Sequence, residues 1–347
     1  MKIIFDLYHP AQFHLFKNFI CWLNNNGHDT KIGIQEKDIL YQLLEFNGFD
    51  YTVLSRPPLN PNSLSRLLQW KKHMINMFNI SKIFRPDLLI GSSPVINWVG
   101  RRHNCESWNL TEDDANIIRN YWILSKPFVT KIIKPSSLSF EIDKRAVFHS
   151  SYHELAYLHP NNFNPNKKIL QKYNLKEKQY AIIRLSALSA YHDVSAIGLT
   201  NQLLDGIKNI LNEYVIVETI ENSKDQMIDP WDIHDILAFS KMLVSDSQTM
   251  TIEASVLGIP SVRINSFFGK SSVIEELENK YELTFGFHPN DYEGAINRIQ
   301  NIIENNKIDY EWAKKRKMLL RDKVDFNNWL IQYFNFQFNF NSDNRIW

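Results

Sequence analysis

The chain has 347 residues, 39 basic and 38 acidic side chains, and a formal net charge of +1. At the usual domain size of roughly 100–200 residues, this length predicts about two domains, each large enough to bury its own core. The balanced charge argues against nucleic-acid binding, which normally requires a basic excess or stripe. The hydrophobic fraction of 44% excludes intrinsic disorder.

The two cysteines, Cys21 and Cys105, are too few for a disulfide framework and lie in no metal-ligand spacing, which indicates a reducing compartment. Asp6 interrupts the first apolar stretch, so the N-terminus predicts a first strand and not a signal peptide. No stretch has the roughly 20 apolar residues that span a bilayer. We therefore expect a soluble cytoplasmic protein that can touch the inner face of a membrane peripherally.

Short apolar runs alternate with segments of helical periodicity along the first 150 residues. Strands are predicted at residues 2–7, 30–34, 51–54, 86–91, 105–109 and 129–133. Helices are predicted at residues 13–23, 38–46, 63–84, 95–102 and 113–121. Strands that alternate with single helices in units of this size imply βαβ crossovers and therefore a parallel sheet.

A second alternating series follows a segment with no sustained period at 134–165, which is rich in Ser, His, Asn and Pro and typical of a connection. Its predicted strands lie at 180–185, 214–219, 242–244 and 261–264, and its helices at 200–211, 233–239 and 249–257. The predicted organisation is an N-terminal domain at 1–150, an interdomain connection at 151–175, a second domain at 176–325, and a C-terminal helix and aromatic tail at 326–347.

Four phenylalanines of that tail, at positions 334, 336, 338 and 340, alternate with Asn and Gln. This period of two predicts a strand with one aromatic face. We expect the face to pack on the domain surface or on a sister subunit. Docking to a membrane surface or to a complex is the alternative.

The clearest candidate site is the polar loop that follows the predicted strand at 242–244. Ligands of open α/β sheets bind beyond the carboxyl ends of the strands, at helix N-termini. Ser247 and Thr249 place hydroxyls there beside free N–H groups, where the helix dipole favours a diphosphate. Glu253, one turn beyond Thr249 on the same helix face, could accept both hydroxyls of a ribose. A simple helix cap with a solvated Glu253 is an equally weighted alternative.

The stretch 247–254, followed by Gly-Ile-Pro at 258–260, resembles the C-terminal nucleotide-sugar motif of GT-B-type glycosyltransferases and of non-hydrolysing UDP-N-acetylglucosamine 2-epimerases. In those families a serine at a helix start meets phosphate and a glutamate meets ribose, which implies these roles for Ser247 and Glu253. Gln248 and Thr249 stand where those families usually have two glycines, so we expect the phosphate approach to differ in detail.

Nearly the whole chain resembles an uncharacterised bacterial and archaeal family of GT-B-like proteins, catalogued as a domain of unknown function. The matching stretches are residues 6–16, 85–93, 152–160, 190–193 and 246–250. The resemblance implies a GT-B-like α/β fold, in which two Rossmann-like doubly wound domains face a central cleft, and a nucleotide-sugar ligand.

Two residues of the first domain are candidate catalytic groups. His14, at the predicted start of the first helix, resembles the acceptor-activating base of several inverting transferases, and histidine suits proton transfer near neutral pH. Glu112 follows another strand and resembles the catalytic glutamate loop of the 2-epimerases. A capping or core histidine, and an acidic cluster at a helix N-terminus, are the structural alternatives.

In the second domain, Arg184 ends the first strand, where its paired N–H donors suit a diphosphate or a structural ion pair. His192 lies in the loop beyond, the equivalent of a loop in which the 2-epimerases place a functional histidine. His153, Glu154 and His159 lack helical ligand spacing, so a wall of the cleft is a better interpretation than a metal site. No convincing Asp-x-Asp motif occurs, and we expect a metal-independent mechanism without a cofactor.

The hypothesis is a glycosyltransferase that moves a sugar from a nucleotide-sugar donor, UDP-linked, to an envelope polysaccharide or a lipid-linked acceptor. In this scheme His14 accepts the proton of the attacking hydroxyl. The residues expected to bind the donor are Arg184, Ser247, Gln248, Thr249 and Glu253. The alternatives are a nucleotide-sugar epimerase that uses Glu112 and His192, and a non-catalytic nucleotide-sugar-binding subunit of a polysaccharide assembly complex.

Overall fold

The computed structural model describes residues 1–37, 39–58, 62–115, 117–138, 143–186, 198–221 and 227–340. The chain divides into two compact units, and each has a parallel sheet of its own. The first unit comprises Met1–Tyr157 together with the segment after Val324, and the second comprises Leu158–Val324.

The first unit is an alternation of strands and helices. Its strands are β1 (Lys2–Leu7), β2 (Asp29–Gln35), β3 (Thr52–Ser55), β4 (Leu88–Gly91), β5 (Glu106–Leu110), β6 (Lys131–Pro135) and β7 (Ala146–His149). Its helices are α1 (Pro10–Asn25), α2 (Leu40–Phe46), α3 (Ser63–Phe84), α4 (Pro94–His103) and α5 (Arg119–Ser125), and α6 (Leu155–Leu158) lies at the boundary of the unit. The strands form one sheet in the order β3-β2-β1-β4-β5-β6-β7.

Local sequence signals account for these elements. Residues 3–7 of β1 are buried, as expected where helices cover both faces of a parallel sheet and its strands become continuous apolar runs. Helix α3 begins at a capping box formed by Asn62 and Ser65. Helix α4 begins at Ser93, whose hydroxyl accepts from the N–H of Val95, with Pro94 in the first turn.

Strand β7 lies inside the segment that sequence periodicity assigned to a connection. It pairs in parallel with β6 at the edge of the first sheet. Three of its four residues are only half-buried. An edge strand with this mixed environment has no regular apolar period, which is why the sequence pattern missed it.

The second unit repeats the alternation. Its strands are β8 (Tyr180–Leu185), β9 (Val215–Ile220), β10 (Leu243–Ser245), β11 (Ser261–Ile264) and β12 (Thr284–Phe287). Its helices are α7 (Ile169–Lys172), α8 (Asn201–Ile210), α9 (Ile233–Ala238), α10 (Gln248–Leu257), α11 (Ser272–Asn279), α12 (Tyr292–Glu304) and α13 (Ile308–Asp322). The parallel sheet has the order β12-β11-β10-β8-β9.

The C-terminal phenylalanines begin in a helix, and the predicted strand is wrong. Helix α14 (Phe326–Gln337) packs its buried side chains on the first unit. Phe334 and Phe338, four residues apart, both contact the ring of the fully buried Trp108 of β5. Phe336 points the other way and is 45% exposed. Residues four apart share a helix face, so every second phenylalanine of the series, Phe334 and Phe338, is on the packed side of the helix.

Candidate functional site

The second sheet has a topological switch point between β8 and β10. From β8 the sheet extends to β9 on one side and to β10 on the other. Doubly wound folds with this order bind ligands in the crevice outside the carboxyl ends of the two central strands. Ser186, directly after β8, and the residues from Asp246 onward, after β10, therefore define the candidate site.

Asp246 connects the carboxyl ends of β8 and β10 through hydrogen bonds. Its Oδ1 accepts hydrogen bonds from the backbone N and the hydroxyl of Ser186, both at 2.6 Å. Its carbonyl oxygen accepts from Nδ2 of Asn265, beyond β11, at 2.8 Å. Burial raises the pKa of the Asp246 carboxyl, although the bonds from Ser186 act in the opposite direction. A Cβ at Gly198 would collide with Oδ2, so glycine is required where the chain passes this carboxylate.

Ser247 is the N-cap of α10. Its hydroxyl accepts a hydrogen bond from the N–H of Met250 at 3.4 Å, and its own N–H donates to the hydroxyl of Ser245 at 2.8 Å. The first N–H groups of an α-helix have no acceptor within the helix, and those of Gln248 and Thr249 come directly after the cap. The motif at 247–254 therefore begins at the N-terminus of α10. The positive end of the helix dipole and the unpaired N–H groups at such a terminus favour a phosphate.

Glu253 is buried, with only 5% of its surface exposed, so the alternative of a solvated helix residue is wrong. Its Oε1 lies 3.0 Å from Nε2 of His234, on α9, which is also buried. The histidine thus holds the carboxylate in one orientation, in the second turn of α10. Sequence reasoning missed His234 because its partner is 19 residues away and no local pattern links the two.

Strand register brings Arg184 to the same place. Arg184 of β8 pairs with Ser245 of β10, and its carbonyl oxygen accepts from the N–H of Asp246 at 3.3 Å. The structure therefore brings together four of the predicted positions, Arg184, Ser247, Gln248 and Thr249, at the switch point. His192 lies outside the described residues.

The first unit has a separate polar pair at the carboxyl ends of β5 and β7. The backbone N–H of His153 donates to Oε1 of Glu112 at 2.6 Å, and Nδ1 of the same histidine is 3.5 Å from Oε2. The ring of Phe326, from α14, stacks on His153 with centroids 5.5 Å apart. Helix α5 begins only at Arg119, so Glu112 does not belong to an acidic cluster at a helix N-terminus, and that alternative is wrong.

Burial lowers the pKa of His153 to about 3, so the ring is neutral near pH 7. With Nδ1 facing the Glu112 carboxylate, the favoured tautomer places the proton on Nδ1 and the lone pair on Nε2. Nε2 is buried and has no hydrogen-bond partner in the described part of the chain. The lone pair of this nitrogen can therefore accept a hydrogen bond.

His14 lies in the second turn of α1 and not at its start, because Pro10 begins the helix earlier. The N-cap is His9, whose Nδ1 accepts from the N–H of Ala11 at 3.2 Å. His14 is 8% exposed, and its ring packs 5.3 Å from that of Tyr157. The ring of His14 is thus buried against an aromatic side chain of the first unit.

A buried hydrogen-bond network, which sequence reasoning also missed, joins the carboxyl ends of β1, β3 and β4. Asp6 accepts from Nε2 of His73 at 2.8 Å and from the hydroxyl of Ser93 at 2.6 Å. The other ring nitrogen of His73 is 2.8 Å from the hydroxyl of Ser55. All four side chains are buried, so the network holds the carboxyl ends of these strands together inside the first unit.

The described residues include neither a cluster of metal ligands nor a membrane-spanning helix. No group of three or more His, Cys, Asp or Glu side chains among them could hold a metal ion. No helix within the described ranges is long and apolar enough to cross a bilayer.

Solved structures with a similar fold cover almost the full chain. A co-structure of S. aureus MnaA with UDP is 10% identical, with a TM-score of 0.69 over 99% of this chain and 98% of that one. UDP-GlcNAc 2-epimerase from Neisseria meningitidis bound to UDP-GlcNAc is 13% identical, with a TM-score of 0.63 over 97% and 100%. The glycosyltransferase VinC in complex with dTDP is 11% identical, with a TM-score of 0.59 over 93% and 96%.

These similarities confirm the predicted GT-B-like α/β fold with two Rossmann-like domains, which is shared by glycosyltransferases and UDP-GlcNAc 2-epimerases. No family model and no curated protein matches the sequence.

Proposed function

From a GT-B-like fold with a helix N-terminus at the switch point of its second sheet, we propose that the protein is a cytoplasmic glycosyltransferase. Its donor is a nucleotide sugar, UDP-linked, and its acceptor is an envelope polysaccharide or a lipid-linked glycan. The observation that supports this most is the arrangement of Ser247 at the start of α10 and the buried Glu253 in the second turn of the same helix. The structures of similar fold that contain UDP, UDP-GlcNAc or dTDP support a nucleoside diphosphate as the ligand.

The N-terminus of α10 would bind the donor diphosphate. The N–H groups of Gln248 and Thr249, with the hydroxyl of Ser247, provide donors aimed at one place, and Arg184 adds positive charge on the neighbouring strand. When the sugar leaves, negative charge develops on the diphosphate, so donors that are already oriented stabilise the transition state. Glu253, oriented by His234, would accept the ribose hydroxyls.

Transfer to an acceptor hydroxyl also requires a group that takes its proton. We assign this role to Nε2 of His153, because the ring is neutral, Nε2 has no partner among the described residues, and Glu112, 3.5 Å from Nδ1, orients the ring. His14 is the second candidate base. The two are distinguished by replacing each with Gln and measuring turnover.

An epimerase is the second candidate function, favoured by the position of Glu112. Its carboxylate lies at a carboxyl-end loop in contact with His153, where it could act on a sugar by acid–base chemistry. In that reaction Glu112 and His192 would serve in elimination and re-addition of the nucleotide.

Product analysis separates the two reactions. The protein is incubated with a panel of UDP- and dTDP-sugars, with and without an extract of lipid-linked acceptors, and products are followed by mass spectrometry and NMR. Acceptor-dependent release of nucleoside diphosphate supports transfer. A stereochemical change without a change of mass supports epimerisation. Binding without turnover would leave a non-catalytic nucleotide-sugar-binding subunit.

Glu253→Gln tests the ribose contact directly. The variant keeps the size of the side chain but removes its charge, and we expect UDP to bind about 10- to 100-fold more weakly in calorimetry, the usual loss for a hydrogen bond to a charged group. Glu293→Gln, an exposed carboxylate on α12 of the same unit, is the matched control. Equal affinity of the Glu253→Gln variant and the natural chain would refute the assignment.

A further inference from the structure

Helices α3, α4 and α5 contain no acidic residue. They contain four, two and one Lys or Arg residues respectively, seven in all, in a protein whose total charge is only +1. The rest of the chain therefore sums to −6. The near-zero net charge of the chain therefore includes a local excess of cations on three helices of the first unit. We call the exposed surface of these three helices the basic face.

The three helices lie side by side. Helix α3 packs on α4, and α4 packs on α5. The rings of Trp70 and Trp98 meet edge to face with centroids 6.4 Å apart, and the indole N–H of Trp98 donates to the carbonyl oxygen of Leu124 at 3.0 Å. The basic face is thus one continuous surface.

Large apolar side chains on this surface point into solvent. On α3 they are Leu64, Leu67, Leu68, Ile75 and Ile83, and on α5 they are Ile123 and Leu124. Leu64 is 66% exposed and Ile123 is 62% exposed. The leucines recur three and four residues apart, and Lys71 lies seven residues after Leu64, so leucines and lysine share one stripe of α3.

Leucines interleaved with cations, without any acid, are typical of helices that lie in the interface of an anionic bilayer. The apolar side chains enter the acyl boundary while the Lys and Arg side chains remain among the anionic headgroups. A nucleic acid would use the cations but would gain nothing from exposed leucines. A second copy of the chain, placed on this face by a two-fold axis, would bring the exposed cations of one copy against those of the other.

We propose that the basic face is a docking surface for an anionic lipid bilayer, with α3 lying in the interface plane. This inference is independent of the proposed function, because it rests on charge and exposure away from the α10 helix N-terminus and the Glu112–His153 pair. It also moves the membrane contact from the aromatic tail, where the sequence suggested it, to the helices of the first unit.

Co-flotation of the full chain with phosphatidylcholine vesicles, with and without phosphatidylglycerol, tests the proposal. We expect binding only to the anionic vesicles, with a strong decrease at high salt. Replacing both Lys71 and Lys72 by Glu should lower the partition coefficient by at least about 25-fold, since each basic residue near an anionic surface contributes about fivefold.

The apolar part of the surface has its own variant, in which Leu67 and Leu68 are both replaced by Ser. We expect at least a tenfold loss of vesicle binding, because burial of each leucine side chain is worth more than tenfold at full depth. The matched controls, Lys314 and Lys317 both changed to Glu and Tyr310→Ser, lie exposed on α13 and should bind as the natural chain does. Thermal unfolding confirms that the variants are folded.

Three outcomes would overturn the proposal. One is equal flotation with neutral and anionic vesicles, and another is a loss of binding in the α13 controls as large as in the α3 variants. The third is binding to a single-stranded oligonucleotide that competes with the vesicles and is unaffected by the leucine substitutions, which would make the basic face a polyanion site.

Discussion

Glu112 and His153 contact each other twice, through the backbone N–H of His153 to Oε1 at 2.6 Å and through Nδ1 to Oε2 at 3.5 Å. Two contacts to one carboxylate orient both the loop and the ring. Of the two ring nitrogens, only Nε2 then remains for a substrate. The same geometry makes the pair a single unit, in which a change to one residue disturbs the other.

Loss of either residue should therefore reduce turnover by a similar factor. We expect His153→Gln and Glu112→Gln each to lower kcat by about 10²–10⁴ with UDP affinity unchanged, the usual contribution of acid–base catalysis. The double variant should be no slower than the slower single variant, because the two act together. Additive losses, or a loss of UDP affinity in calorimetry, would contradict this interpretation.

His153 should also make the protein sensitive to acid. Its pKa is lowered by burial to about 3 from an ordinary value of 6.5, so between these values the unfolded chain binds a proton that the folded chain does not. The free energy of unfolding should therefore fall as the pH falls through this window, by at most about 1.4 kcal/mol per pH unit from this residue. Above pH 6.5 the ring is neutral in both the folded and the unfolded chain, so it no longer changes the free energy of unfolding.

Urea unfolding at a series of pH values measures this effect. His153→Gln removes the titrating group, so the slope of stability against pH below neutrality should be shallower than in the natural chain. The exposed His288, replaced in the same way, is the control. An unchanged slope in His153→Gln would contradict this, because it would show that the ring takes up its proton over the same pH range in the folded and the unfolded chain.

The C-terminal helix gives a test that distinguishes helix from strand. Phe334 is fully buried against Trp108 and Phe19, so Phe334→Ala should lower the free energy of unfolding by about 3–5 kcal/mol. Phe336→Ala, two residues further on and 45% exposed, should change it by less than about 0.5 kcal/mol. In a strand the two side chains would share one face, and urea unfolding would show similar losses.

The sequence pattern predicted most of the fold, because the two kinds of element differ in how apolar residues are spaced. Strands covered on both faces are continuous apolar runs, whereas helices covered on one face have an apolar residue every three or four positions. The strands β1, β8 and β11 have the predicted bounds. Where two periods coincide, as at Phe334 and Phe338, the pattern alone could not decide, and packing on Trp108 favours the helix.

The candidate site was predictable where its residues are local. The cap at Ser247 and the position of Glu253 follow from spacing along one helix. The contacts of Glu112 with His153, of Glu253 with His234, and of Asp6 with His73 join residues far apart in the chain. Such contacts depend on which strands are neighbours, and no local pattern in a single sequence reports that.

The packing of α14 on the first unit has a consequence for synthesis on the ribosome. The second unit is one continuous stretch, Leu158–Val324, whereas the first unit needs the segment after Val324 to cover Trp108. Domains generally fold as units while the chain emerges from its N-terminus. Here the part that is made first is completed only after the second unit has been made, so a nascent chain exposes an aromatic surface until the segment after Val324 emerges, and deletion of that segment would damage the first unit.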